Sequence, residues 1–386
     1  MTEIAIVGVG ETTPHRAEPR PLLAMVEEAV FAALADAGLD AAQVDGFVSE
    51  SASMPSACPA EAVMARLGRP VCRTPFIAYG TKFGAGLVAA PQWAAFALRA
   101  GLASAVVCWY GHKLSQMSEG PRTIYAEDPL KAELELPQGW FGQPVYFAAI
   151  AQRYTHEYGL TEAQLAATAI EAREHAARTP GALRGATPLD FAAYLASPLV
   201  ASPLRAADCC LVNDGAVAFV MTTRERARDL RHTPVIVAGV GTGTTPVLGD
   251  NWFTQNPDYL STPAAISGPR AFAQAGLRPR DVDFVELYDC FTINNILQFE
   301  DLGFAPRGQG AAFALEKGRA LTDVLPTNTH GGLLANSFTL AAGHVVEAVR
   351  QLRHARGAAQ VPDARVGLVT GLGVPHHSTL ILRRDD

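Results

Sequence analysis

The start of the chain returns, in weakened form, in its second half. Ile6-Val7-Gly8-Val9-Gly10 with Thr12-Thr13-Pro14 is matched by Val237-Ala238-Gly239-Val240-Gly241 with Thr244-Thr245-Pro246. Ala37-Gly38-Leu39 followed by Val44-Asp45 is matched by Ala275-Gly276-Leu277 followed by Val282-Asp283. An apolar helical stretch opened by Gly86 precedes the strand Ala105–Trp109, and another opened by Gly343 precedes Val366–Thr370. Matches in one order indicate two copies of a βαβ-rich unit. The period is too long for a solenoid, whose repeats run to roughly 50 residues at most. Two similar halves bury a shared face, and ligand clefts favour such interfaces.

The 386 residues suffice for two domains, each with its own core. Hydrophobic content of 49% with 18% charged residues describes a globular chain and not a disordered one. A net charge of −7 without a Lys/Arg cluster argues against nucleic acid as a partner. The N-terminus lacks a signal-peptide pattern, and the most apolar window, Gly86 to Gly111, is broken by Pro91, Gln92 and Arg99, so no membrane span is expected. Six cysteines show neither CxxC spacing nor a secreted framework, which reads as reduced thiols in a cytoplasmic protein. No pair spacing supports a metal site.

Ile4–Gly10 has the continuous apolar character of a strand covered on both faces. Leu22, Leu23, Val26, Val30, Ala33 and Leu34 recur at helical spacing before Gly38. Phe76–Gly86 reads as loop. Residues 115–203, without a counterpart in the second half, read as an insertion serving as a lid or partner surface, with helices near Val145–Gly159 and Glu162–Arg178. The domains are placed at residues 1–230 and 231–386. Alternation of strands and helices makes both α/β, with largely parallel sheets.

Three segments carry a resemblance to thiolase-like proteins. Ala207-Asp208-Cys209-Cys210, then Asn213-Asp214-Gly215-Ala216, resembles the turn before their last N-domain strand. Glu286-Leu287-Tyr288-Asp289-Cys290-Phe291-Thr292 is similar to the HDCFS segment of sterol-carrier-type thiolases, with tyrosine at the histidine position. Asn328-Thr329-His330-Gly331-Gly332 and the Glu347–Arg353 stretch resemble their NxxGG loop and following helix. The resemblance implies the α/β thiolase fold, five-layered αβαβα with two duplicated mixed-sheet halves, a homodimer, and an active site between the halves.

Departures from that pattern direct the chemistry. The loop before Gly86 reads Gly80-Thr81-Lys82-Phe83-Gly84-Ala85, so Phe83 stands at the nucleophile position and no cysteine is there. The final Gly-rich turn, Val369–Gly373, lacks the second cysteine, and Phe338 falls where the histidine of the GHP motif belongs. The chain is more similar to the lipid-transfer-type aldolases of steroid side-chain degradation, which cleave a 3-hydroxyacyl-CoA without that cysteine. The resemblance implies a small OB-fold, zinc-ribbon second subunit, and no cofactor beyond coenzyme A carried on the substrate. Two tyrosines are proposed to move protons in that branch; Tyr288 matches the first, and Phe338, without a hydroxyl, matches the second.

A retro-aldol cleavage needs a base for the β-hydroxyl, donors for the thioester oxygen, and an acid for the α-carbon. Tyr288 is assigned the hydroxyl proton, with Asp289 setting its basicity. His330, in a Gly-rich loop, and His377, near the last strand, are candidates to supply what Phe338 lacks. His344, inside the helix opened by Gly343, is a third candidate for that role and for substrate binding, with packing its stronger reading. Asn328 either donates to the thioester oxygen or stabilises its own turn. Gly331 and Gly332 allow close backbone approach, and Lys82 stands beside the vacated nucleophile position. Two other readings are a silent scaffold subunit of an acyl-CoA complex, and a Claisen-type acyltransferase. Cys290 is the available thiol for the latter, with no base or helix N-terminus expected beside it.

Overall fold

The computed structural model describes residues 2–50, 58–68, 76–79, 85–116, 129, 131–140, 142–245, 256–373 and 375–385. In chain order its strands are β1 Ile4–Glu11, β2 Gly46–Ser49, β3 Phe76–Tyr79, β4 Val106–Lys113, β5 Leu199–Ala201 and β6 Leu204–Arg205. They continue with β7 Asp214–Thr223, β8 Val235–Thr244, β9 Phe284–Glu286, β10 Val366–Gly373 and β11 His376–Arg384. Nine of them form one sheet in the order β3-β2-β4-β7-β1-β8-β11-β10-β9, and β5 and β6 form a separate ribbon.

The duplication is written in that order. Outward from the seam between β1 and β8, the series β1-β7-β4-β2 corresponds to β8-β11-β10-β9. In both series the first two ladders are antiparallel and the third is parallel. The sheet is therefore mixed, where alternation alone suggested largely parallel. β10 runs into β11 through a tight connection, and such neighbours can pair only antiparallel. The seam is short, pairing Ala5 with Ile236 and Ile6 with Val235.

Helices complete five layers. Leu22–Ala37 packs on β1, β4 and β7, and Ala264–Ala275 packs on β8 and β11. Between the two half-sheets lie Gly86–Arg99 and Ala342–Leu352, which touch each other and strands of both halves. Ala342–Leu352 is buried almost without a break, whereas Gly86–Arg99 exposes a stripe of Gln92, Trp93, Phe96 and Arg99. Both copies of Ala-Gly-Leu are helix stops, with Gly38 at φ 71° and Gly276 at φ 68°. The repeated Gly-x-Gly has an equally physical cause. A Cβ on Gly10 would strike the backbone of Leu22–Ala37, and one on Gly241 would meet Ala271 N at 2.8 Å. Each outer helix thus lies directly on strand backbone.

Three local expectations change. Phe76–Tyr79, read as loop, is β3, pairing parallel with β2. His376-His377 lies within β11 and not on a turn before it. The insertion is more than lid: its helix Glu162–Ala176 is buried along most of its length and packs against the Gly332–Asn336 turn. A buried ion pair, Lys317 Nζ to Glu171 Oε1 at 2.6 Å, ties it to the second half. Among the described residues no helix is long and apolar enough to cross a membrane.

Candidate active site

The chain leaves β9 into Leu287-Tyr288-Asp289-Cys290, then the helix Thr292–Asp301. The backbone of Tyr288 is clamped: its N–H donates to Thr370 Oγ1 at 2.8 Å, and its carbonyl accepts from Asn294 Nδ2 and from Gln298 Nε2 at 3.0 Å. The side chain is 6% exposed. Its hydroxyl makes no hydrogen bond among the described residues. Burial first, then the charges of Cys290, Cys210, Glu50 and Tyr110, push the phenol well above its ordinary range. The resting group is therefore a neutral phenol.

Glu50 and Tyr110 come from the first half, Glu50 just after β2 and Tyr110 within β4. Glu50 Oε2 accepts from Leu87 N at 3.1 Å, so a carboxylate sits at the N-terminus of the central helix Gly86–Arg99. Tyr110 Oη is 2.9 Å from His112 Nδ1, and burial pulls His112 down to about 4. The His112 ring lies 5.7 Å from that of Phe338, whose N–H donates to Asn213 Oδ1 at 2.7 Å. Tyr110 is a phenol beside Tyr288 that no motif announced; within Trp109-Tyr110-Gly111 it reads only as buried strand. Lys82 and Phe83 lie outside the described residues.

The other candidates gather beneath a neighbouring loop. Asp289 is fully buried and accepts from Leu333 N at 2.8 Å and Leu334 N at 3.4 Å, with His344 Nε2 at 3.3 Å. It braces this loop and makes no bond to the Tyr288 phenol. Asn328 spends its amide on the backbone of Leu287, accepting its N–H at 2.6 Å and donating to its carbonyl at 3.0 Å. Of the two roles considered for Asn328, this geometry is that of the turn. The close approaches at Gly331 and Gly332 are to protein: to Ala176, and to Asp289 with Asn328. His330 Nδ1 is 3.0 Å from Glu286 Oε2, out of line for a hydrogen bond but close enough to pair charges. Burial opposes the charged ring, yet Glu286 and Glu347 together hold His330 above its ordinary value.

His377 is remote from this loop. Its Nδ1 is 2.6 Å from Ser267 Oγ and its Nε2 3.3 Å from Gln298 Oε1, and burial pulls it down to about 3. It is a neutral core histidine that reaches Tyr288 only through Gln298 and Thr370. A cavity of about 350 Å³ lies between Glu11–Pro14 and the start of the Ala342–Leu352 helix; His330 lines it and Tyr288 does not.

The described thiols are all held protonated. Burial raises Cys58 to about 11 and Cys209 to about 12, and pushes Cys108, Cys210 and Cys290 higher. Cys290 does precede a helix start, contrary to expectation, but burial outweighs that position.

The five layers and the duplicated half-sheets define a thiolase-type fold. A family profile described as "Thiolase C-terminal domain-like" matches residues 249–384. The chain is 33% identical to the 17-hydroxy-3-oxo-4-pregnene-20-carboxyl-CoA lyase of Mycobacterium tuberculosis, covering 97% of each. It is 34% identical to the steroid side-chain-cleaving aldolase of Thermomonospora curvata, over 99% of this chain and 98% of the relative. A solved structure titled "Ltp2-ChsH2(DUF35) aldolase" superposes with a TM-score of 0.88 at 32% identity, covering 99% of this chain and 98% of that one. The chain belongs to the thiolase-like superfamily, in its branch of steroid side-chain-cleaving aldolases.

Proposed function

We propose that the chain is a carbon–carbon lyase that splits a 3-hydroxyacyl-CoA with a bulky, steroid-side-chain-like acyl group by a retro-aldol step, without a cysteine nucleophile. A base removes the β-hydroxyl proton, the oxygen becomes a carbonyl, and the Cα–Cβ pair passes to the thioester as an enolate. A proton returned to Cα then yields a ketone or aldehyde and a shortened acyl-CoA.

The observation that carries this reading is the unbonded Tyr288 phenol, buried and raised, with Glu50 and Tyr110 of the other half among the charges that act on it. Tyr288 is the proton donor to the enolate, the Glu50 carboxylate takes the hydroxyl proton, and that proton returns to the Tyr288 phenolate through solvent, which restores both groups. Asp289 and Asn328 position the segment around Tyr288. His330 and His377 then stand outside the proton path, and coenzyme A enters only as part of the substrate. The protonated state of every described thiol supports chemistry without cysteine. A homodimer, joined by a small OB-fold, zinc-ribbon second chain, completes the acyl-CoA site. The solved relative, named for two components, Ltp2 and ChsH2, supports a second chain.

The test is direct. The purified chain, alone and with such a second chain, is incubated with a 17-hydroxy steroid 3-hydroxyacyl-CoA, and products are separated by mass spectrometry. A steroid ketone and short acyl-CoA, formed equally after iodoacetamide treatment, are expected. Absence of cleavage in both preparations favours the scaffold reading, which the missing hydroxyl at Phe338 supports. Loss of cleavage on alkylation favours a thiol mechanism.

A further inference from the structure

Glu286, His330 and His344 come from three elements: the last residue of β9, the loop that follows Asn328, and the central helix Ala342–Leu352. One nitrogen or carboxylate oxygen from each lies within 4.8 Å of the other two. His330 Nδ1 is 3.0 Å and His344 Nδ1 3.9 Å from the same atom, Glu286 Oε2. Tetrahedral bonds of about 2.0–2.1 Å to zinc put neighbouring ligand atoms roughly 3.3–3.4 Å apart. These two separations bracket that value, and the third, between the histidines, lies within 4.8 Å.

The polar atoms here are buried and incompletely used. Glu286 and His344 have no solvent exposure and His330 has 4%. Glu286 Oε2 and His330 Nδ1 make no hydrogen bond, and a buried polar atom left so is costly. A cation between them removes that cost. The surroundings fix the ligands as metal sites require. Thr329 donates from N at 3.0 Å and from Oγ1 at 2.7 Å to Glu286 Oε1, leaving Oε2 to face the histidines. Asp289 Oδ1 lies 3.3 Å from His344 Nε2, out of line for a hydrogen bond, and His344 Nδ1 lies 3.4 Å from His330 Nε2. His330 also lines the 350 Å³ cavity, which gives an ion a way in and a water a place as fourth ligand.

We propose that Glu286, His330 and His344 form a binding site for one divalent transition-metal ion of the zinc type, with its open position toward the cavity. Two imidazoles and a carboxylate suit zinc or cobalt and disfavour magnesium and calcium, which take oxygen ligands. Spacing rules miss such a set because its members are 44 and 14 residues apart in sequence, by subtraction of their numbers. The site stands apart from the lyase reading, and either can fail without the other.

The experiment uses the tag-free full chain produced without any partner protein, stripped with a chelator and dialysed against Zn²⁺ alone. Elemental analysis is expected to find about one ion per chain, and Co²⁺ in its place to give the visible bands of a tetrahedral site. Glu286→Gln and His344→Gln are expected to weaken Zn²⁺ binding at least tenfold, and Asp289→Asn about 10- to 100-fold. The half-buried His232→Gln, outside the cluster, is expected to leave it unchanged. The Co²⁺ spectrum of the unaltered chain serves as the readout that does not depend on variants folding. No bound ion and no tetrahedral spectrum, or affinity indifferent to Glu286 and His344, overturns the proposal in favour of a proton shared by the same side chains.

Discussion

Replacing Tyr288 by phenylalanine separates chemistry from architecture because of how little the hydroxyl does structurally. The ring stays, the backbone clamp from Thr370, Asn294 and Gln298 uses only main-chain atoms of residue 288, and no hydrogen bond is lost. Removing a buried hydroxyl without a partner leaves no orphaned donor or acceptor behind, so stability should change by no more than about 0.5 kcal/mol, with a rise as acceptable as a fall. Catalysis is another matter. A positioned proton donor contributes about 10²–10⁴-fold, which at about 1.36 kcal/mol per decade is roughly 3–5 kcal/mol of barrier. The expected result is a kcat/KM for C–C cleavage lowered by two to four orders of magnitude, about 10²–10⁴-fold, with an unchanged melting temperature. Because the phenol is raised above its usual range, the unaltered enzyme should show no loss of rate from deprotonation of this group between pH 7 and 9. A loss of activity under about tenfold, or a melting temperature that falls as for a deleted buried group, would refute the assignment.

Further outcomes follow from other side chains. Glu50→Gln should lower kcat/KM by about 10²-fold or more, with the helix N-terminal hydrogen bond to Leu87 retained, as checked by circular dichroism. His377 and His112 are held near 3 and 4, below the unfolded value of about 6.5, so the unfolded chain binds more protons in that window. Stability should therefore be full above about pH 6.5 and fall as pH drops toward 4, and His377→Gln should flatten this slope in thermal melts. Glu171→Gln, which strands the buried Lys317, should cost about 3–5 kcal/mol in urea unfolding, and pairing it with Lys317→Met should recover most of that. Gly241→Val, driven into the backbone at Ser267 and Ala271, should destabilise by about 1–3 kcal/mol or more, and leaving the midpoint unmoved would contradict the packing described.

The sequence exposed the duplication because its signals are steric. Gly10 and Gly241 recur where a helix rests on a strand, and Gly38 and Gly276 recur where a helix must end in the left-handed region. Tyr288 was legible through its neighbours in the motif, and His330 through its loop. What stayed hidden depends on contacts far apart in the chain. Burial depth, which raises the Tyr288 phenol and lowers His377, has no local signature. Glu50 and Tyr110 reach the site only because the first half-sheet folds against the second, and β3 is too short and too little alternating to announce itself.

The seam strand β1 has an order-of-events consequence. Ile4 pairs with Thr223 and Ala5 with Ile236, so both flanks of this strand are supplied by segments synthesised long after it. An apolar ribbon with two open edges must be kept from self-association until then, and closing such distant pairings is slow. Emergence of β7 and β8 from the ribosome thus sets the earliest moment at which the molecule's middle can exist, and truncated chains ending before them should be captured by chaperones instead of folding.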